Sequence, residues 1–302
     1  MQPTPQALPT NTDFSPLTAL TLIIPCYNEA PAVLKDTIAG IQTAMQEVPE
    51  VAFEIVVVND GSTKFRYDPA EIEEEGVRFL QHHVNKGYGA ALKTGIMHAR
   101  YDWIAITDAD GTYPNARFGD LIRAAEGYDM VIGARSWGDI GWLRRMPKWV
   151  LTRFTSFLAR QDIKDLNSGM RIFRKTLARQ FWPLFPNGFS FTSTITMGAV
   201  TNAWEVCYVP IDYYQREGQS TLHPIKDTIR FFTLVSRLAM YFNPTRFFLP
   251  LSLIFAVLAV VRGLRDYALT GAFGGLTLVL FFMAFQVFFF GLLADIISKT
   301  RR

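Results

Sequence analysis

Over its first half the chain alternates short apolar, β-branched runs with segments whose apolar residues recur at helical spacing. Leu20-Thr21-Leu22-Ile23-Ile24-Pro25 has the make-up of a buried parallel strand. The segment Ala32 to Glu47 places Val33, Ile38, Ile41 and Met45 on one helical face, and Pro49 stops it. Further strands are predicted at Phe53–Val58, Val77–Leu80, Trp103–Thr107 and Asp129–Gly133, with a helix from about Tyr88 to Ala99. Strands and helices alternating through short links predict an α/β fold, a mostly parallel sheet covered by helices.

The pattern changes after Arg135. Segments of about 143–160 and 226–243 mix Arg and Lys with aromatic and aliphatic residues at helical spacing, as amphipathic helices at a membrane interface do, an ordinary core-facing helix being the alternative for either. Phe247 to Val261 is a 15-residue run without charge, and Gly271 to Ala294 is a second, longer one. Their lengths predict two membrane spans, about 246–264 and 271–296, forming a C-terminal hairpin with Arg262 and Arg265 in its loop. The first run needs snorkelling of Arg246 and Arg262, or local thinning of the bilayer, to span. A buried hairpin of a soluble protein is the alternative. Basic residues flank both outer ends of the pair, which predicts an integral membrane protein with both termini in the cytosol. Two such spans also predict self-association into a homo-oligomer. Residues 1–18, rich in Pro and Thr and without an export signal, are expected to form a flexible tail. The catalytic domain is then 19–225, in the cytosol, and the spans fall within 244–302.

Composition narrows the function. Among 302 residues, 30 Lys and Arg face 27 Asp and Glu, a net charge of +3 that is too even for an electrostatic nucleic-acid binder. A hydrophobic share of 49% excludes global disorder. Cys26 and Cys207 are too few for a disulfide framework and too far apart for a zinc site.

The polar clusters fall at the carboxyl ends of the predicted strands, where sheets of this class bind ligands. Asp108-Ala109-Asp110 ends the fourth strand. Two carboxylates two residues apart repel each other, and a hard divalent cation completed by a nucleoside diphosphate offsets that repulsion. Pro25-Cys26-Tyr27-Asn28-Glu29 and Asn59-Asp60-Gly61-Ser62 end the first two strands. A capped polar turn is one reading of each. The other is a ring and a carboxylate suited to stacking on and hydrogen-bonding a nucleobase.

These motifs, with Asn85-Lys86-Gly87 and Gly133-x-Arg135, stand in an order and spacing that resembles glycosyltransferase family 2. The branch is that of the polyprenyl-phosphate glycosyltransferases, typified by dolichyl-phosphate mannosyltransferase. Asp165-Leu166-Asn167-Ser168-Gly169-Met170-Arg171-Ile172-Phe173 resembles the branch's aspartate–serine–glycine–arginine segment, and Arg216-Glu217-Gly218-Gln219-Ser220 its R-x-G-x-S element. The resemblance covers about residues 20–225. It implies a GT-A type domain binding a UDP- or GDP-sugar, with polyprenyl phosphate as acceptor and Mg²⁺ or Mn²⁺ as cofactor. By that likeness Pro25, Tyr27, Asn28, Glu29, Val58 and Asp60 hold base and ribose, with help from Lys86. Asp108, Ala109 and Asp110 meet ribose, diphosphate and metal, Asp110 most directly. Arg216 reaches a phosphate, and Arg135 with Lys148 holds the lipid phosphate. Two positions depart from the pattern. Thr112 stands where a glutamine helps bind metal and is expected to be a weaker metal ligand beside Asp110 and Asp108, and Thr221 stands where a lysine follows the R-x-G-x-S serine; His223 or Lys226 is expected to supply that lost charge.

Such an acceptor is already anionic near neutral pH and needs no general base, so Asp110, Arg135 and Arg216 are expected to act by positioning and charge stabilisation. A synthase building a polysaccharide is the second reading. It would usually carry a Q-x-x-R-W string and more spans, which this chain lacks. A non-catalytic membrane scaffold is the third, and it has no use for the ordered strand-end motifs.

Overall fold

A computed structural model describes residues 16–73, 76–135, 153, 155–157, 161–188, 190–214, 233, 236, 240–241 and 243–300. Most of the tail, most of both interfacial helices, Lys148 and the whole R-x-G-x-S element with Arg216, Thr221, His223 and Lys226 lie outside the described residues. The chain divides into two compact units, one of residues 1–138 and 164–220, the other of 139–163 and 221–302.

In the first unit all five predicted strands form: β1 (Ala19–Cys26), β2 (Ala52–Asn59), β3 (Val77–Gln81), β4 (Trp103–Ile106) and β5 (Met130–Arg135). Two more were not expected, β6 (Arg171–Arg174) and β7 (Val206–Ile211). Together they make a seven-stranded sheet of order β3-β2-β1-β4-β6-β5-β7. Only β6 runs antiparallel, against both β4 and β5. The helices of this unit are α1 (Pro31–Gln46), the short α2 (Pro69–Ile72), α3 (Tyr88–His98), α4 (Phe118–Arg123), α5 (Lys175–Gln180) and α6 (Phe191–Thr201). Of the stripe predicted on α1, Ile38, Ile41 and Met45 are buried and join Leu34 against β1, β2 and β4, while Val33 is only half-buried.

Register decides where the chemistry falls. Cys26 pairs with Asn59, Asn59 with Gln81, and Ile23 with Ile106, so β1, β2, β3 and β4 end at one edge. Because β6 is reversed, with Arg171 opposite Ile106 and Ile132, the residues before it, 165–170, reach that same carboxyl edge. The amino edge carries a different set of charges. Glu54 accepts from Thr21 Oγ1 (2.7 Å), Arg100 N (2.6 Å) and Arg78 Nη1 (3.3 Å). Asp129 accepts from Arg174 Nε (3.1 Å) and Glu205 N (3.1 Å), and the Arg174 guanidinium lies 4.4 Å from the Trp103 ring centroid.

The second unit contains α7 (Pro244–Thr270) and α8 (Gly275–Thr300), both long and apolar enough to cross a membrane, with mean hydropathy of 2.3 and 2.4 in their most apolar windows. The first runs past both predicted limits, and the second begins later than predicted, at Gly275, and ends later, at Thr300. Arg262 and Arg265 are therefore not in the loop, as expected, but in the last turns of α7, and the connection is 271–274. The charge does not end the helix because Arg262 Nε pairs with Asp266 Oδ1 one turn on (3.1 Å), and Asp266 Oδ2 accepts from Thr277 Oγ1 (2.8 Å). The buried positions of the hairpin are small: Ser252, Ala259 and Gly263 on α7, and Thr277, Ala284 and Gly291 on α8. Those of α8 recur every seven residues, the spacing of a left-handed seam. A Cβ on Gly291 would stand 2.7 Å from Phe248 Cβ, and Ser252 Oγ donates to Ala284 O at 2.9 Å. The other faces are apolar and exposed, as in a helix pair surrounded by lipid. Arg246, expected to snorkel, donates through Nη1 to Phe157 O at 2.7 Å.

Candidate active site

The carboxyl edge holds a cleft of about 370 Å³. Pro25, Tyr27, Glu29, Asp60, Asp108, Ala109 and Asp110, all expected at the site, line it. Cys26, Asn85, Gly87, Tyr88 and Ala91 complete the wall.

Each strand end is stitched in place by its neighbours. Asn28 takes a left-handed conformation (φ 59°), which Asn tolerates better than most residues, and its Oδ1 accepts from Thr63 N and Lys64 N at 2.8 Å each. Its own N–H donates to Ser62 Oγ (2.8 Å), while Ser62 N donates to Asn59 Oδ1 (3.1 Å). Asn28 thus holds the 62–64 loop and is not a wall of the cleft. Tyr67 OH donates to Glu29 O (2.6 Å) and accepts from Cys26 Sγ (3.2 Å); burial pushes the Cys26 thiol pKa up.

Asp60 is a hub. Its Oδ1 accepts from Lys86 N (2.9 Å) and lies 2.6 Å from His82 Nδ1, and its Oδ2 accepts from Gly87 N (2.7 Å). His82 Nε2 continues to Thr94 Oγ1 on α3 (2.9 Å). The approach of 84–85 to this turn requires Gly61, where a Cβ would fall 2.4 Å from the Val84 carbonyl carbon. Lys86 therefore serves Asp60 through its backbone, with its side chain exposed, and Val58 is fully buried within β2.

Each member of the acidic pair carries a hydroxyl. Asp108 Oδ1 accepts from Tyr88 OH at 2.9 Å. Asp110 Oδ1 accepts from Thr112 Oγ1 at 2.6 Å and from Thr112 N at 3.2 Å. Burial first, then the Asp108 charge, pushes the Tyr88 phenol pKa well above its ordinary value, so it stays a donor. Among the described residues no three His, Cys, Asp or Glu side chains gather to hold a metal unaided. The oxygen-only donors Asp108 and Asp110 suit a hard cation completed by phosphate oxygens. Thr112 is buried and donates its proton to Asp110, so its nearest role is that of a clamp.

Arg135 stands apart from the cleft wall. It forms a fork on Asp165, Nε to Oδ2 at 2.7 Å and Nη2 to Oδ1 at 2.9 Å. Burial opposes the Arg135 charge, and the Asp165 pair outweighs it and raises the pKa. The guanidinium lies 5.1 Å from the Tyr213 ring, which meets Tyr113 edge-on at 5.3 Å. Tyr113 OH accepts from Gly169 N (2.6 Å), and Tyr214 N donates to Thr112 O (2.9 Å). A packed path thus links Arg135 to the acidic pair.

Residues 21–182 match the profile of Glycosyl transferase family 2, and residues 243–300 that of the GtrB C-terminal hairpin. The chain belongs to glycosyltransferase family 2. Within that family it sits in the polyprenyl-phosphate branch, as its relatives and its hairpin show. A dolichyl-phosphate beta-glucosyltransferase of Trichomonas vaginalis is 28% identical over 80% of this chain and 78% of its own. Glycosyltransferase AglJ of Haloferax volcanii is 27% identical over 94% and 95%. An undecaprenyl-phosphate 4-deoxy-4-formamido-L-arabinose transferase of Edwardsiella ictaluri is 26% identical over 95% and 91%. The fold is also that of Mycobacterium tuberculosis glucosyl-3-phosphoglycerate synthase, solved with phosphoglyceric acid (TM-score 0.53, 15% identity, 74% of this chain and 80% of that one).

In this family 2 glycosyltransferase, sequence reasoning missed Tyr88, His82, Tyr113, Tyr213 and the Arg135–Asp165 pair as site parts. Tyr88 directly follows Asn85-Lys86-Gly87, a signal that it opens the helix beside the cleft. The others carry no local signal, since their partners lie far along the chain.

Proposed function

We propose that this glycosyltransferase moves a sugar from a UDP- or GDP-sugar to a polyprenyl phosphate at the cytosolic face of a membrane, with inversion at the anomeric carbon. The observation that carries the reading is the acidic strand-end cleft, in a chain that also bears two membrane-length apolar helices. Pro25, Tyr27 and Glu29 offer the nucleobase and ribose a ring, an apolar edge and a carboxylate, and Asp60 holds the opposite wall. Asp108, Ala109 and Asp110 face the ribose and diphosphate. Mg²⁺ or Mn²⁺ bound through Asp110 would neutralise charge on the departing nucleoside diphosphate.

The acceptor phosphate is anionic before it binds, so the protein removes no proton. Its oxygen forms the new bond to the sugar carbon as the bond to the nucleoside diphosphate breaks, and the electron pair leaves with the diphosphate. Arg135 has one nitrogen, Nη1, not engaged by Asp165, and through it would align the acceptor phosphate. Lys148 and Arg216 join these roles by likeness to the family. The reading places both termini in the cytosol.

The test is transfer of label from a panel of radiolabelled UDP- and GDP-sugars into organic-extractable lipid, using membranes that hold the wild type or Asp110→Asn. Lipid label that requires Mg²⁺ or Mn²⁺ and falls at least about 100-fold in the variant is expected. Label that enters only a water-soluble polymer would replace the lipid acceptor, and equal label from both proteins would remove Asp110 from the reaction.

A further inference from the structure

The two acids of the pair are clamped from different directions. Asp110 is held from within its own loop by Thr112. Asp108 is held from outside, by Tyr88 at the start of α3, and it fills the space that a side chain at position 169 would take. A Cβ on Gly169 would stand 2.7 Å from Asp108 Oδ2, so Oδ1 meets a hydroxyl donor while Oδ2 sits where a glycine leaves room for it. Both neighbours of Asp108 are tied in place. Gly87 N, just before Tyr88, donates to Asp60 (2.7 Å), while Gly89 N and Ala90 N donate to Gly188 O (3.1 Å) and Asn187 O (2.8 Å). Gly169 is tied through its N–H to the buried Tyr113 hydroxyl.

We propose that Tyr88 is a positioning residue of the cleft: it fixes the Asp108 carboxylate for the nucleoside half of the donor and leaves the cation to Asp110. The proposal rests on the donor reading above. Turning the Asp108 carboxylate away from this position would break the Tyr88 hydrogen bond. Asp110 is held instead from within its own loop, through Thr112. The phenol is suited to the task because it donates one strong hydrogen bond to a carboxylate without neutralising it.

The experiment titrates the detergent-purified full chain with UDP and with GDP by calorimetry, in EDTA and in Mn²⁺. Wild-type binding of one nucleotide tests the donor reading; binding of neither fails that reading and this proposal together, before any variant is made. For the nucleotide that binds, Tyr88→Phe is expected to weaken the EDTA-arm affinity at least about tenfold. The ratio of affinities with and without Mn²⁺ should stay within about twofold of wild type, and the binding stoichiometry and melting temperature should not fall, as they would in a general loss of structure. Gly169→Ala, which pushes on Asp108 from the other side, is expected to give the same split. Loss confined to the Mn²⁺ arm, or no loss in either arm, overturns the proposal. So does a wild type with no metal-free binding, or a misfolded Tyr88→Phe beside a Gly169→Ala that binds normally in EDTA.

Discussion

At the amino edge of the sheet Glu54 and Asp129 are bound to arginines, whereas at the carboxyl edge Asp60, Asp108 and Asp110 are held by hydroxyls, backbone N–H groups and a histidine. Both sets are oriented, but the consequences differ. A guanidinium group offsets the charge of the carboxylate it orients, so that charge is used up in structure. A hydroxyl or amide fixes the direction of a carboxylate and leaves its charge available to a cation or a ligand. Asp165 lies between the two cases, at the carboxyl edge yet paired with Arg135. Among the described contacts, the two amino-edge acids each meet a guanidinium group as well as neutral donors, and the cleft acids meet hydroxyls, backbone N–H groups and His82.

The contrast is broken most severely at the amino edge. Asp129→Ala removes the carboxylate from an Arg174 side chain that is only 12% exposed, and should cost about 3 kcal/mol of stability. Chemical denaturation of the detergent-solubilised protein measures that loss, and nucleotide affinity should not change. Thr112→Val, nearly isosteric, takes the hydroxyl donor from Asp110. Its expected effect is a fall in sugar transfer of about tenfold, near 1.4 kcal/mol, with an unchanged melting temperature. Arg78→Ala should be the mildest, below about 1 kcal/mol, because the Arg78 side chain is 39% exposed and Glu54 keeps Thr21 and Arg100 N. A larger loss there would mean that the amino edge relies on a charge network and not on separate pairs.

The acids of the cleft were legible in the sequence because each follows a buried apolar strand, and a strand end is a local feature. Their partners were not. Tyr88 lies 20 positions before Asp108, and Asp165 lies 30 after Arg135. Only the register of the sheet and the docking of α3 bring them together. The strands divide in the same way. β1 to β5 announce themselves as apolar runs, but β6 begins with Arg171, whose side chain is fully buried. Its guanidinium is satisfied by the Ser168 and Thr192 carbonyls and by Thr196 Oγ1, and burial lowers its pKa. A buried cation held by neutral groups leaves no trace in a hydrophobic pattern. β7 lies at the sheet edge, half exposed and carrying Pro210, so it lacks the signature of a central strand. In the hairpin the arginines suggested an end to the first span, yet Asp266 and Thr277 accommodate that charge and the helix continues.

Asp60 also bears on how the protein assembles. Its carboxylate waits on partners 22 to 27 residues further along the chain, supplied by His82 after β3 and by the turn that opens α3. Until β2, β3 and α3 have all docked, that wall of the cleft does not exist, and no single hairpin or helix can form it early. Ligand capture is therefore a late event of folding, since closing these loops must precede any reward from the contact. A nucleotide that binds the finished cleft would act as a reporter of maturation, protecting the backbone amides of Lys86 and Gly87 from exchange as one cooperative block.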